Sequence, residues 1–503
     1  MRVSDDNPPS SNASEGLDFE RCSKLHNALV RYAWEASGYD LAEMPERTWW
    51  EEDENADSLA TIETTVHTTV QEYLKRTLMS PRFPEAGWDT SFPGYPRAST
   101  LNNFHRYAEM LASAREMLEG WYSIIANDEF DLRIIGLYST DPAIAESGMG
   151  IIYDQTRHMC FYNQYDPDLL LDMDEQNSGT QRLLQPLETI LTVYIDLIER
   201  GKIVALHKSV EPSLPKLRRT LLSDGTYRSE MIPPTKESQR NPTVPKRFTN
   251  TVDPWAIVPY TSDDLNLALD RWQALVQAIE DRQSPSAQDT PTSNGIFSVE
   301  TLKAAGLDEE RFAWSFFRLA RTPRFKYLAP GLRLPTAEEF VASRHSFEDM
   351  ADDDVTIPVC VLRGDYERAA LNPWKVYERP TRLPWGLYLD RTNLDGFCPF
   401  EDGCLLALPY SIAGPVKRKA PNGQYRRHNS LLLQISQNPY MPQHSSQLAL
   451  FLGYFAKAVV DGMWTVGEEG VQQDSDWYKL AESEDEDVRN QFIVPVGPGR
   501  QWC

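Results

Sequence analysis

The sequence predicts an α+β protein, with a helix-rich N-terminal half and a mixed β-sheet assembled mainly from the C-terminal half. Three observations support this class. Apolar residues recur at helical spacing before residue 282, short apolar runs typical of strands follow residue 355, and turn-forming dipeptides flank several of those runs. The chain has 503 residues, of which 41% are hydrophobic, so it can bury sizeable cores and is expected to form two or three domains.

The N-terminal half begins with a segment that has almost nothing to bury. Residues 1–15 are rich in Ser, Asn, Asp and Pro and are expected to be disordered. A mostly helical lobe is predicted over 16–282. Within it, 181–200 predicts a buried helix, because its apolar positions cover most of the helix circumference. Polar and proline-rich residues at 208–250 indicate a long irregular connection.

The helix predicted over 263–281 has the clearest periodicity in the chain. Its apolar residues recur every three or four positions, with Ser262 as the expected cap. The Ser- and Pro-containing segment 283–295 is predicted to be a linker.

An α+β lobe is predicted over 296–467, followed by an acidic tail over 468–503. A helix is expected at 445–460. The predicted strands of this lobe are short and mostly apolar, and they lie at 356–362, 386–390, 404–410 and 431–436.

Cysteine spacing argues against a metal or redox site. Cys398 and Cys404 form the one close pair, without the second pair of ligands that structural zinc usually needs and without Cys-x-x-Cys spacing. The acidic run at 166–175 does not match a calcium loop, and a solvated loop explains it better. We therefore predict no metal site, and the sequence identifies no cofactor.

The residues around Cys404 instead predict a turn that leads into a buried strand, with two carboxylates at its entrance. Glu401 and Asp402 precede this strand, whereas Asp365 and Glu367 follow the strand predicted at 356–362. Carboxylates act as general acids or bases when burial shifts their pKa. The leading hypothesis is an intracellular enzyme, a transferase or synthase of specialised metabolism, in which these four residues converge on a small-molecule substrate.

The distribution of charged residues along the sequence is compatible with an anionic ligand. The net charge of −24 disfavours non-specific binding to nucleic acid or to anionic membranes. Residues 202–247 nevertheless contain ten Lys and Arg against four Asp and Glu. A second basic segment supplies the candidate contacts to an anion or to RNA, which are Lys417, Arg418, Lys419, Arg426 and Arg427. The alternative is that these residues pair with the protein's own acidic tail.

A third functional class is suggested by the order of elements at 297–335. Two helices separated by Gly306, followed by two short extended pieces, resemble a winged helix-turn-helix. Acidic residues at the start of the second helix and its high aromatic content favour core packing over DNA binding. A protein-interaction module without enzymatic activity is therefore the opposing hypothesis.

The basic segments and the acidic runs Asp352–Asp354 and Asp263–Asp264 invite comparison with one family of similar size. The arginine-containing cyclodipeptide synthases of filamentous fungi use aminoacyl-tRNAs and carry an Asp-Asp-x-x-Glu motif. Neither run has the glutamate, so the resemblance transfers no residue. It leaves an aminoacyl-tRNA-dependent synthase as an alternative, with tRNA as the partner. The absence of an apolar leader and of a membrane-length apolar stretch predicts a cytoplasmic protein that does not bind membranes.

Overall fold

A computed structural model describes the larger part of the chain. The described residues are 2–4, 6–36, 38–79, 117, 134–139, 150–163, 185–205, 216–221, 227–232, 251–252, 255–283, 295–345, 358–364, 369–371, 382–389, 401–409, 418–419, 425–426, 431–432, 447–483, 485, 487–488 and 491–492. Helices and mixed sheets both occur among them, which confirms the α+β class. Within these ranges, no helix is both long enough and apolar enough to cross a bilayer.

Two compact units divide the chain, Met1–Val258 and Pro259–Gly497. The linker predicted at 283–295 lies outside the described residues except for its two ends, so it stays a prediction.

Unit 1 combines four helices with small antiparallel sheets in the part of it that the structure describes. The helices are α1 (Phe19–Ala36), α2 (Leu59–Thr65), α3 (Thr68–Leu74) and α4 (Leu187–Glu199). The strands are β1 (Ile134–Ser139), β2 (Gly150–Asp154), β3 (Met159–Asn163), β4 (Ile203–Ala205), β5 (Lys216–Leu221), β6 (Tyr227–Ile232), β7 (Thr251–Val252) and β8 (Trp255–Ile257). They form sheets in the orders β1-β2-β3, β4-β8-β7 and β5-β6. The β5-β6 hairpin lies inside 208–250, where the sequence predicted only irregular chain.

A directed chain of hydrogen bonds joins the elements of the unit 1 core. Nε2 of His26 lies 3.0 Å from the carbonyl oxygen of Leu78, which can only accept, so Nε2 carries the proton. Nδ1 of His26 then accepts from the hydroxyl of Tyr138 at 2.7 Å, and the Tyr138 oxygen accepts from Tyr73 at 2.5 Å. These bonds tie α1 to β1 and α3. Burial lowers the pKa of His26 to about 4, so its ring is neutral at neutral pH.

The N-terminal segment has buried anchors that its composition does not predict. Glu188, fully buried in the first turn of α4, accepts hydrogen bonds from the backbone N–H groups of Ser10 (2.9 Å) and Ser11 (2.7 Å) and from the Ser11 hydroxyl (2.7 Å). The N–H of Val3 donates to the Thr192 hydroxyl at 3.1 Å. The sequence-based expectation of disorder missed these bonds because they involve residues more than 170 positions away.

Unit 2 contains five α-helices among its described residues. They are α5 (Ser262–Glu280), α6 (Val299–Ala304), α7 (Phe312–Leu319), α8 (Ala337–His345) and α9 (Leu448–Val460). Helix α5 begins one residue earlier than predicted because the hydroxyl of Thr261, and not of Ser262, caps it in a reciprocal arrangement with Asp264. The apolar faces of α5 and α9 pack together in the unit 2 core.

The main sheet of unit 2 has eight strands, in the order β18-β15-β14-β11-β10-β9-β20-β19. Its strands are β9 (Tyr327–Ala329), β10 (Leu332–Arg333), β11 (Val359–Gly364), β14 (Gly386–Leu389), β15 (Cys404–Ala407), β18 (Leu431–Leu432), β19 (Val466–Gly467) and β20 (Gly470–Val471). Two further hairpins pair β12 (Ala369–Leu371) with β13 (Arg382–Pro384) and β16 (Arg418–Lys419) with β17 (Tyr425–Arg426).

The segment that resembles a winged helix is integrated into this core. Helices α6 and α7 and the β9-β10 hairpin follow in the predicted order, but β10 pairs with β11 and β9 pairs with β20. The aromatic residues of α7 are buried. The hairpin therefore lies in the middle of a sheet and does not form a free wing.

Part of the predicted acidic tail is also structural. Val471 on β20 and Tyr478 in the 3-10 helix Ser475–Glu482 are buried, and Gly470 pairs with Tyr327 of β9. Acidic side chains such as Asp476 lie on the exposed side of this segment.

Candidate functional site

The direction and register of strands β11, β14 and β15 define the two ends of this part of the sheet. Strands β11 and β15 are both antiparallel to β14, so they run the same way. The register aligns Val359 with Leu389 and Cys404 at one end of the sheet, and Arg363 with Gly386 and Ala407 at the other end. The two ends are separated by four residues of strand, which is about 13 Å.

Glu401 and Asp402 precede β15, whereas Asp365 and Glu367 follow β11. The convergence of the four carboxylates on one site stays a prediction. Asp365 and Glu367 themselves lie outside the described residues.

Glu401 is tied to the start of helix α7. Its carboxylate accepts a hydrogen bond from the N–H of Phe312 at 2.9 Å and lies 3.6 Å from Nε of Arg311. Its own N–H donates to the carbonyl of Pro259 at 2.9 Å. A carboxylate at a helix N-terminus is stabilised both by the free N–H groups and by the helix dipole. This geometry gives Glu401 a helix-capping role.

Asp402 is tied to the start of helix α9. The residue is only 3% exposed, and its carboxylate accepts from the side-chain amide of Gln447 at 2.5 Å. Its backbone carbonyl accepts from the N–H of Leu448 at 2.8 Å. The turn before β15 thus holds the N-termini of two helices, and the buried thiol of Cys404 follows it.

A group of three charged side chains lies near the other end of the sheet. Arg333 of β10 is directly opposite Arg363 of β11, and Glu339 of α8 contacts both. Nη1 and Nη2 of Arg333 each donate to a carboxylate oxygen of Glu339 at 2.8 Å. Nε of Arg363 lies 3.7 Å from Glu339 Oε1. We call Arg333, Glu339 and Arg363 the arginine triad.

The triad carries a net charge of +1 on partly buried side chains. Two like charges directly opposite each other across a strand pair repel, and Glu339 offsets that repulsion. The hydrogen bonds from Arg333 lower the pKa of Glu339 to about 2, so its carboxylate is ionised at neutral pH. Glu339 also accepts from the N–H of Thr336 at 2.9 Å and thereby caps α8.

Arg363 makes the longer of the two arginine contacts with Glu339. Its side chain is 27% exposed, and its contact with Glu339 is longer than a hydrogen bond. Among the described residues, its guanidinium donates no hydrogen bond. A guanidinium presents five N–H donors in a plane, which suits carboxylate and phosphate groups. In the sequence, Arg363 comes two residues before Asp365 and four residues before Glu367.

The predicted basic contacts at 417–427 are only partly visible. Lys417 and Arg427 lie outside the described residues. The backbone of the β16-β17 hairpin pairs Arg418 with Arg426 and Lys419 with Tyr425. Their role as anion or RNA contacts stays a prediction.

Sequence reasoning did not identify Arg333 or Glu339. The role of Glu339 at a helix start could have been predicted, because Thr336-x-x-Glu339 has the spacing of a capping box at the start of α8. The pairing of Arg333 with Arg363 was not readable, because it depends on the register between β10 and β11. In the part of the chain that the structure describes, no group of three or more His, Cys, Asp or Glu residues could hold a metal ion.

Comparisons with known proteins supply no family for this chain. No protein-family model, curated protein or solved structure matches it.

Proposed function

We propose that unit 2 binds a small anionic molecule through Arg363 of the arginine triad. The observation that carries the proposal is the 3.7 Å gap between Arg363 and Glu339, in contrast to the two 2.8 Å bonds of Arg333. Arg333 is neutralised by Glu339, whereas the charge of Arg363 is only partly offset. Partial burial strengthens the attraction to an incoming anion, because solvent screens such a site less than an exposed one.

The ligand class that fits this site carries a carboxylate or phosphate group. Both groups accept two parallel hydrogen bonds from one guanidinium. A small ligand fits better than a long polyanion, because the protein's net charge of −24 opposes extended contact with a polyanion.

An enzymatic use of this ligand is the second step of the proposal. Arg363 would orient the anionic group, and Asp365 and Glu367 would act as general acid or base on the bound molecule. The sequence places them two and four residues after the arginine. Glu401 and Asp402 are left out of this chemistry because their contacts are with helix ends.

Thermal unfolding in the presence of inorganic pyrophosphate or succinate tests the binding step, with ionic strength held constant by sodium chloride. Binding to the folded state raises the midpoint as ligand concentration rises. We expect this rise in the wild type and its loss in Arg363→Gln. Arg318→Gln, at an exposed position on α7, is the matched control and keeps the rise. An equal rise in wild type and Arg363→Gln would overturn the proposal.

Incubation with a cellular small-molecule extract tests the enzymatic step. We expect mass spectrometry to detect a metabolite that the wild type consumes and that neither Arg363→Gln nor the double variant Asp365→Asn with Glu367→Gln consumes. If the double variant consumed the metabolite at the wild-type rate, Asp365 and Glu367 would not act as the general acid or base. Binding without consumption of any metabolite would support a binding protein over an enzyme.

The β16-β17 hairpin favours RNA as a second candidate ligand. Its register pairs the backbone of Arg418 with that of Arg426, and the segment 417–427 contains five basic residues. The candidate predicts RNA that co-purifies with the protein at low salt and is removed by high salt. Absence of RNA from a low-salt preparation, or equal RNA content in an Arg418→Gln and Arg426→Gln double variant, would reject it.

A further inference from the structure

Two histidines of unit 1 lie in direct ring contact. His67 is the residue before helix α3, and His158 is in the turn between β2 and β3. Their ring centroids are 4.4 Å apart, with the planes inclined at 63°. His67 is exposed, whereas His158 is only 4% exposed.

Each of these rings has a hydroxyl group at its Nδ1 atom. Nδ1 of His67 lies 2.8 Å from the hydroxyl of Thr69 and also accepts from the Thr69 N–H at 3.3 Å. Nδ1 of His158 lies 2.7 Å from the hydroxyl of Tyr153. Because the Thr69 N–H can only donate, Nδ1 of His67 must be unprotonated in this arrangement.

The turn that carries His158 has a strained backbone. His158 has a φ of 55°, which is a left-handed conformation that costs a non-glycine residue free energy. Its N–H donates to the Asp154 carbonyl at 2.8 Å, and the Asp154 carboxylate accepts from the N–H groups of Thr156 and Arg157. The turn thereby holds the His158 ring against His67.

Three segments distant in sequence meet at this pair. The N–H of His67 donates to the side-chain oxygen of Gln155 at 2.6 Å, which joins α3 to the β2-β3 turn. The N–H of Leu17 donates to the Thr69 hydroxyl at 3.1 Å, which joins α3 to the N-terminal segment. Gly16 packs so closely on Thr69 that an added Cβ would lie 2.7 Å from its hydroxyl oxygen.

We infer that His67 and His158 form a pH-sensitive latch, in which protonation releases the β2-β3 turn and the N-terminal segment from the start of α3. A proton on Nδ1 of His67 removes the acceptor of the Thr69 N–H. Two protonated rings at this separation also repel each other. The neutral pair thus holds the three segments, and the doubly protonated pair drives them apart.

The charges around the pair do not neutralise a protonated latch. Asp154 favours protonation of His158, but its carboxylate is bonded to Arg157 at 2.7 Å. Glu15 and Glu63, in the neighbouring segments, are exposed to solvent, and Glu72 of α3 pairs with Lys75 and Arg76. Tyr153 stays uncharged because burial raises its pKa.

The sign of the pH effect follows from His158. Burial first, and the charge of His67 second, lower the pKa of His158 below its ordinary value of 6.5. The closed latch is therefore fully stable above pH 6.5. It weakens as the pH falls below that value, because the released state takes up protons more readily than the closed state does.

Amide hydrogen exchange at about pH 7.5 and about pH 5.5, with intrinsic rates corrected for pH, tests the latch. The reporters are the amides of Leu17, His67 and Thr69, each of which donates one of the bonds described above. We expect their protection factors to fall several-fold at the lower pH, with an upper limit of about tenfold for each histidine that takes up a proton. The amide of Ile296, bonded to the carbonyl of Phe317 at 2.7 Å in unit 2, is the control and should keep its protection.

The double variant His67→Asn and His158→Asn separates the latch from general acid effects. Asn caps a helix well and tolerates the left-handed conformation, so the variant keeps the geometry without titrating. Its three reporter amides should show no pH-dependent loss of protection. Equal protection at both pH values in the wild type would overturn the proposal, as would a loss of equal size at Ile296 or in the variant.

Discussion

His26 shows how burial converts one side chain into a pH-dependent element of stability. The ring is neutral in the folded state because burial lowers its pKa to about 4, whereas in the unfolded chain the value is near 6.5. Above pH 6.5 the two states bind the same number of protons, and His26 has no effect. As the pH falls from 6.5 to 4, only the unfolded state takes up a proton, and the free energy of unfolding decreases.

Between pH 6.5 and pH 4, the titration of His26 is expected to lower the free energy of unfolding by about 3 kcal/mol. This value follows from the difference between the pKa of His26 in the folded and unfolded states. Urea denaturation of the wild type and of His26→Gln at several pH values measures it. The variant is less stable at neutral pH because it lacks the bonds to Tyr138 and Leu78, but its stability should depend less on pH. If the free energy of unfolding depended on pH equally in the wild type and in His26→Gln, His26 would not be the source of the pH dependence.

Glu339 contributes stability in the opposite direction of pH. Its folded-state pKa is lowered to about 2 by Arg333, so its contribution is present above pH 4.5 and is lost as the pH falls toward 2. In Glu339→Gln two arginines remain opposite each other without a counter-charge. We expect the free energy of unfolding at pH 7 to fall by about 1–2 kcal/mol, because solvent partly screens the triad. Chemical denaturation measures this change. Equal stability of the wild type and Glu339→Gln would show that Glu339 does not stabilise the two arginines.

At the scale of the secondary-structure elements, the turn before β15 explains why two conspicuous carboxylates have structural roles. Glu401 caps α7, so Glu401→Ala removes the acceptor of the Phe312 N–H and the partner of Arg311. The expected cost is about 1–2 kcal/mol of unfolding free energy, with no change in anion binding. Denaturation and a pyrophosphate titration of the same variant measure both quantities. If Glu401→Ala lost pyrophosphate binding without losing stability, Glu401 would belong to the anion-binding site.

Strand β11 depends on a glycine for its packing against Trp385. A Cβ built on Gly364 would lie 1.8 Å from the nearest atom of the Trp385 side chain, which is fully buried. Gly364→Ala is therefore expected to cost about 3 kcal/mol or more, because neither the strand nor the indole can move freely.

The matched control for this prediction is Gly453→Ala in helix α9. There a Cβ meets its nearest neighbour at 3.4 Å, the side chain of Arg271. The same substitution should stabilise the protein by about 0.5–1 kcal/mol, because alanine favours helix more than glycine does. Thermal denaturation of both variants should show shifts of opposite sign, and a shift of the same sign would contradict the packing described for β11.

Periodicity and turn chemistry predicted the elements of unit 2 better than their partners. Helix α5 and the strands that begin at Val359, Gly386 and Cys404 follow local patterns of apolar residues, so the sequence places them within a few positions. The contacts of Glu401 and Asp402 were not predictable, because they depend on where α7 and α9 begin in space. Arg333 and Arg363 were not linked either, since strand register is a tertiary property.

For the whole molecule, composition predicted the α+β class but not the buried contacts made by Ser11 in the N-terminal segment and by Val471 and Tyr478 after residue 468. The segment before α1 is mostly polar, yet Glu188 supplies the acceptor that the backbone N–H groups of Ser10 and Ser11 need. The acidic residues after 468 share their segment with Val471 and Tyr478, which belong to the core of unit 2. In both cases a few buried contacts outweigh an average composition that is typical of disorder.

The central claim is that Arg363 binds an anion with which Glu339 competes. Isothermal titration of pyrophosphate at constant ionic strength tests it directly in wild type, Arg363→Gln and Glu339→Gln. The account predicts that Arg363→Gln binds at least about tenfold more weakly than wild type, because one charged hydrogen-bonding group is lost. Glu339→Gln should bind more tightly despite its lower stability. Equal affinity of wild type and Arg363→Gln, or weaker binding by Glu339→Gln, would contradict the account.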